Sequence, residues 1–181
     1  YGNNWKGMGI RSGIALSTIA DAFIVITAIQ ALLGTGNIQE DGDPEGQRQL
    51  VTGILQENWG EWVIISLGII VSGTALIQFI YGITQGYKER LDIAHFSEGK
   101  KKIIHIMAWA GYFARGIILG IIGFFYIKAG ITEDAEWVVN TDKAFDFIGD
   151  HVGHLYFILV ALGTIFYGFF MFILGITYDT D

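Results

Sequence analysis

Asp21 stands at the middle of an otherwise apolar block that runs from Ser12 to Leu33. A carboxylate at the centre of a membrane-inserted helix costs about 2.5–3.5 kcal/mol on insertion scales. Such a residue serves as a proton or cation site or as half of a buried ion pair. Otherwise it is a protonated acid, or one hydrogen-bonded to a neighbouring helix through partners such as Thr18, Ser72 or Thr74. Arg11, at the start of this block, and Arg115 open equivalent helices. Each is either an anion or lipid-phosphate contact or a snorkelling side chain one turn inside the interface. A direct Arg115–Asp21 pair meets a depth problem, because Asp21 lies about 15 Å further along its helix than Arg11. Pairing therefore requires tilt or offset.

His151 and His154 stand i, i+3 next to Asp150. That spacing puts two potential metal ligands on one helical face. A structural site needs a third and fourth ligand, a set that the pair lacks even with Asp146 joining it, so interfacial histidines without a metal are expected. Between Tyr87 and His105, Lys88, Arg90, Lys100, Lys101 and Lys102 are interleaved with Leu91, Ile93, Phe96, Ile103 and Ile104. Lys100, Lys101 and Lys102 are candidate contacts for anionic lipid headgroups, at roughly 1 kcal/mol per basic residue near the surface. They also serve as ordinary topology-setting charge. With no cysteine in the chain, disulfides, thiolate metal sites and cysteine nucleophiles are excluded. The phosphate-binding, nucleophile-elbow, zinc-protease and dinucleotide motifs are absent from the sequence. No cofactor is expected.

The elements that must position these residues are apolar helices. Of 181 residues, 52% are hydrophobic and 16% charged, well below the charge of an ordinary soluble enzyme. A net charge of −7 argues against a nucleic-acid partner. The apolar residues gather in four blocks near 12–33, 62–84, 112–131 and 155–177, each long enough to cross about 30 Å of hydrocarbon as a helix. They are continuously apolar, as in Ile117-Ile-Leu-Gly-Ile-Ile-Gly-Phe-Phe, rather than alternating as barrel strands do. Lysine and arginine concentrate between the second and third blocks, while the other two connections are acidic. The positive-inside rule then predicts a multi-pass protein of the bacterial cytoplasmic (inner) membrane with both termini cytoplasmic. Trp59, Trp62, Trp109 and Trp137 read as an aromatic belt.

The chain also reads as one unit written twice. Leu67-Gly-Ile-Ile-Val-Ser-Gly73 matches Leu162-Gly-Thr-Ile-Phe-Tyr-Gly168, and short amphipathic stretches at Leu50–Leu55 and Ala144–Gly149 precede the two return helices. The expected fold is all-α: a polytopic transmembrane bundle of four spans, arranged as two parallel hairpin repeats with short interfacial helices. The divisions fall at 1–86, 87–105 (a basic amphipathic cytoplasmic linker) and 106–181. Gly116 and Gly120, Gly68 and Gly73, and Gly163 and Gly168 are expected at helix contacts, where small residues allow close approach.

Gly111-Tyr-Phe-Ala-Arg-Gly116, Lys143-Ala-Phe-Asp-Phe-Ile148 and the Leu162-Gly to Tyr167-Gly return helix resemble the bacterial membrane family called domain of unknown function 1206. The resemblance covers nearly the whole chain. It is stronger in the second unit than in the first, where Arg11-Ser-Gly replaces the aromatic-rich opening. The lysines and aromatics are similar to those of Bacteroidota-type members. The resemblance implies tandem two-helix repeats, usually three, so this chain is expected to be the second and third with the first hairpin missing. Tyr1 in place of a methionine points the same way. The family has no established activity, so the resemblance implies a fold and no chemistry.

The function expected is that of a non-catalytic accessory or scaffold subunit of a larger membrane complex. Its partners would be membrane lipids and other integral membrane subunits or further copies of itself. The alternatives are a small transporter or proton-conducting protein using Asp21, with Thr27, Gln30, Ser72, Thr74, Gln78 and Thr164 as lining, and a metal-dependent membrane enzyme using His151 and His154.

Overall fold

Long runs of branched and aromatic apolar residues without proline favour helices that satisfy their own backbone hydrogen bonds. A computed structural model describes residues 42–91, 93 and 96–177. The expected first span, with Arg11 and Asp21, lies outside the described residues, as does the C-terminal tail from Tyr178. Five α-helices are present among the described residues, and no strand is: α1 (Glu45–Leu55), α2 (Gly60–Thr84), α3 (Glu98–Thr132), α4 (Thr141–Phe147) and α5 (His154–Ile176). Helices α2, α3 and α5 are long and apolar enough to cross a membrane.

Helices α2 and α3 stop where the backbone turns left-handed. Gln85 (φ 55°) ends α2 and Glu133 (φ 51°) ends α3. Such a residue closes off the last carbonyls of a helix. Helix α3 has 35 residues, about 52 Å at 1.5 Å per residue. It begins at Glu98, so Glu98–His105, read from sequence as the end of a linker, form its first two turns. Short 3₁₀ turns at Gly86–Arg90 and Ala135–Trp137 flank it.

Helices α2 and α5 pack on opposite faces of α3. A methyl group built on Gly123 would collide with Ser72, one on Gly130 would lie 2.6 Å from Ile65 Cγ1, and one on Gly116 2.9 Å from the Phe79 ring. Gly116, Gly123 and Gly130 are spaced by seven, and so are their partners Phe79, Ser72 and Ile65. A seven-residue repeat keeps one stripe of each helix in contact along a left-handed crossing. Between α3 and α5, a methyl at Gly163 of α5 would lie 2.6 Å from Ala114 Cβ, and one at Gly111 of α3 would lie 2.7 Å from Tyr167 Cα. Positions 114 and 123 are nine residues apart, two and a half helical turns, which puts the two seams on opposite sides of α3 and about 14 Å apart along it. Ser72 and Gly163 are each near the middle of their own helix. The centres of α2 and α5 are therefore staggered along α3.

Beyond the Thr132 end of α3, Val51 of α1 joins Ile64, Ala129 and Val138 in a small apolar cluster. Arg48 lies 3.3 Å from both Asp43 and Glu136, and Lys143 lies 3.5 Å from Asp146. Asn140 caps α4 by accepting from the Lys143 amide at 2.9 Å, and its side-chain amide donates to the Gly42 carbonyl at 2.8 Å. Ala144 and Ile148, from α4 and the π-helical turn after it, pack in a cluster with Ala114, Ile118 and Val160. Gly153 (φ 125°) then turns the chain into α5.

Candidate functional site

The positive φ at Gln85 turns the chain back under α3 and carries Tyr87 into the interior, where it is 1% exposed. The Tyr87 ring stacks on Tyr112 at 5.8 Å and meets Phe170 edge-on at 5.4 Å. Its hydroxyl donates to the His105 carbonyl across a long 3.4 Å. Burial pushes the Tyr87 phenol above its ordinary value, so it remains a neutral donor at physiological pH. Leu91, Ile93, Ile104 and Ala108 complete this cluster.

Outside the Tyr87 plug lies an open pocket of about 410 Å³ on the first three turns of α3. That size is within the usual range for small-ligand sites, about 300–1,000 Å³. Glu98, Lys101, Lys102, His105, Ile106 and Trp109 line it from one helical face, because their spacings follow the 3.6-residue turn. Gln85 and Tyr87 close the other side. Lys101 donates to Glu98 at 2.8 Å. Lys102 is exposed and has no ion-pair partner among the described residues. The His105 Nδ1 atom is enclosed and has no hydrogen-bond partner there. Along α3 the lining passes from Glu98, Lys101 and Lys102 through His105 to Ile106 and Trp109.

The structure separates the three lysines of the run. Lys101 and Lys102 line the pocket, whereas Lys100 sits 5.9 Å from the Phe96 ring centroid, to one side. Arg115 lies 4.9 Å from the Tyr167 ring, a cation–π contact on the α5 side of α3. His151 stacks on Phe147 at 4.7 Å and His154 on Phe157 at 5.9 Å, so each histidine has its own aromatic partner. No group of three metal-ligating side chains occurs among the described residues.

The glycines divide. Gly68, Gly116 and Gly163 lie at close helix contacts, and a methyl on Gly120 would make only an ordinary 3.9 Å contact with Ala75. Gly73 and Gly168 do not reach a neighbouring helix: nothing among the described residues lies within 4 Å of a methyl built there. The i, i+5 spacing that singled them out puts the second glycine more than a quarter turn away from the first. Gly111, Gly123 and Gly130 also make close contacts that the expected helix-contact glycines did not include; for Gly123 and Gly130 the seven-residue spacing from Gly116 was the available signal.

The chain matches the family described as Domain of Unknown Function (DUF1206) over residues 12–85 and 110–178, more than half its length. It belongs to that family. It is also similar to an uncharacterized protein of Bacillus subtilis (strain 168), YxxB, with 28% identity over 179 residues. That alignment covers 97% of this chain and 62% of the relative, so the chain spans less than two thirds of the relative's length. No solved structure matches it.

Proposed function

We propose that this chain is a non-catalytic integral protein of the bacterial cytoplasmic membrane, acting as an accessory or scaffold subunit that packs against other helical membrane proteins or further copies of itself. The observation that carries the reading is the contrast between its inner and outer helix surfaces. The α2–α3 seam closes to backbone contact at Gly68, Gly123 and Gly130. The outward faces of α2 and α5 are apolar, with Ile70, Ile77, Phe169 and Phe172 all more than half exposed. Gly73 and Gly168 lie open on those faces. In lipid, such surface gains from close packing with another helix rather than from leaving water. The match of one family to both 12–85 and 110–178 supports two hairpin repeats, and the positive charge of 88–102 supports a cytoplasmic location for the Glu98 end of α3.

Gly73→Leu and Gly168→Leu test the reading. Both side chains enter open space, and leucine is a better helix former than glycine by about 0.8 kcal/mol, so the thermal melt in detergent should hold or rise. Native mass spectrometry in a mild detergent should show the wild-type chain in an assembly that one or both variants disrupt. A wild-type particle that is strictly monomeric, together with proton flux in liposomes abolished by Asp21→Asn, overturns the reading in favour of transport.

A further inference from the structure

The pocket beside Tyr87 has a feature that a packing scaffold does not need. Its charged end carries Lys101 and Lys102, and Lys88 lies near enough to act electrostatically on His105. Glu98 engages only Lys101. This is a local excess of positive charge in a chain of net −7. The opposite end is Ile106 and Trp109, 52% and 50% exposed, at the point where α3 becomes continuously apolar. From Lys102 to Trp109 is about 10 Å along the helix. A free inorganic anion would use the first end and leave the second bare. A partner protein's acidic loop would likewise have no use for an apolar edge continuous with a membrane-length helix.

We propose that this pocket holds the phosphate of an anionic phospholipid. Lys101 and Lys102 face the phosphate, Gln85 and His105 supply polar contacts to the headgroup, and Ile106 and Trp109 flank the first acyl carbons. Interfacial tryptophan beside basic side chains is the combination that headgroup-level recognition uses. The site stands whether or not the chain works as a scaffold.

The three consecutive lysines provide the test, because each substitution by glutamine removes the same charge but only two of the lysines line the pocket. The full chain in detergent is titrated with mixed micelles carrying brominated phosphatidylglycerol or brominated phosphatidylcholine. The reading is the part of the tryptophan fluorescence that Trp109→Phe removes. Phosphatidylglycerol should quench it at the lower mole fraction. Lys101→Gln and Lys102→Gln should each weaken that quenching about five-fold, and Lys100→Gln less than about two-fold. Lys102 has no ion pair to lose among the described residues, so its variant remains informative if Lys101→Gln disturbs folding. Equal quenching by the two lipids overturns the proposal, as does an equal loss in all three variants, which would mean unspecific charge. Inorganic phosphate that displaces the lipid at comparable concentration would assign the pocket to a free anion and overturn the lipid.

Discussion

On one side of α3, Gly116, Gly123 and Gly130 recur every seven residues along the contact with α2, Gly123 and Gly130 against its backbone and Gly116 against the Phe79 ring. On the other side, α5 makes its close approach at Gly111, Ala114 and Gly163 and then gives way to a plug of rings: Tyr87, Tyr112, Tyr167 and Phe170. Both seams hold apolar helices together without a hydrophobic gain from leaving water, so both depend on contact and geometry. They differ in what can yield. Backbone against backbone cannot move without moving a helix, whereas rings can turn and leave a gap behind.

The largest effect should come from breaking the first seam at its most rigid point. A methyl on Gly68 would lie 2.6 Å from the Ile127 amide nitrogen and 2.9 Å from the Gly123 carbonyl oxygen. Gly68→Val should cost about 3 kcal/mol or more, seen as a large fall in detergent melting temperature or loss of the folded particle. Phe170→Ala should come next. It empties a fully buried site against Tyr87 and Tyr112. A cost of about 3 kcal/mol is expected, the low end for buried phenylalanine because the ring competes with lipid rather than water. Hydrogen exchange should rise in 86–91 and 170–177 and stay unchanged at the α2–α3 seam; a uniform rise would mean the two seams are one cooperative unit. Gly116→Ala should have the smallest effect. Its new methyl meets the edge of the Phe79 ring, which can swing, and the gain in helix propensity offsets the rest to within about 1 kcal/mol of wild type. A melt as low as that of Gly68→Val would show that the ring is as immobile as the backbone and would erase the distinction.

The helical class was legible because unbroken apolar runs of span length have few other solutions, and the family was legible in the motifs around Gly111–Gly116 and Lys143–Ile148. The rotation of each helix was much less legible. Helix α2 carries only scattered polar side chains such as Ser72, Thr74 and Gln78, which form no polar face to mark which way it turns. The i, i+5 glycine pairs therefore placed Gly68 and Gly163 at contacts but also selected Gly73 and Gly168, which face outward. The start of α3 was hidden because Lys100, Lys101 and Lys102 interrupt the hydropathy while leaving the helix intact. The basic residues of the pocket were visible as a run. Its other wall was not, because Gln85 and Tyr87 reach it only through a left-handed turn that no local pattern announces. Asp21 and Arg11 lie outside the described residues, so their roles rest on the sequence alone.

The stagger of α2 and α5 has a mechanical consequence. Their 25 and 23 residues make rods of about 37 and 35 Å, either of which fills a bilayer's hydrocarbon of about 30 Å. With their centres about 14 Å apart along α3, both cannot sit level in a flat slab while α3 stands upright. Because they flank it on opposite sides, leaning α3 in the plane they share lowers one and raises the other. The lean needed to level them depends on bilayer thickness, since a thicker slab tolerates more residual offset before an apolar end is left in water. Seated in a membrane, the long helix would act as a see-saw beam, its lean following from the offset of the two rods packed on its flanks.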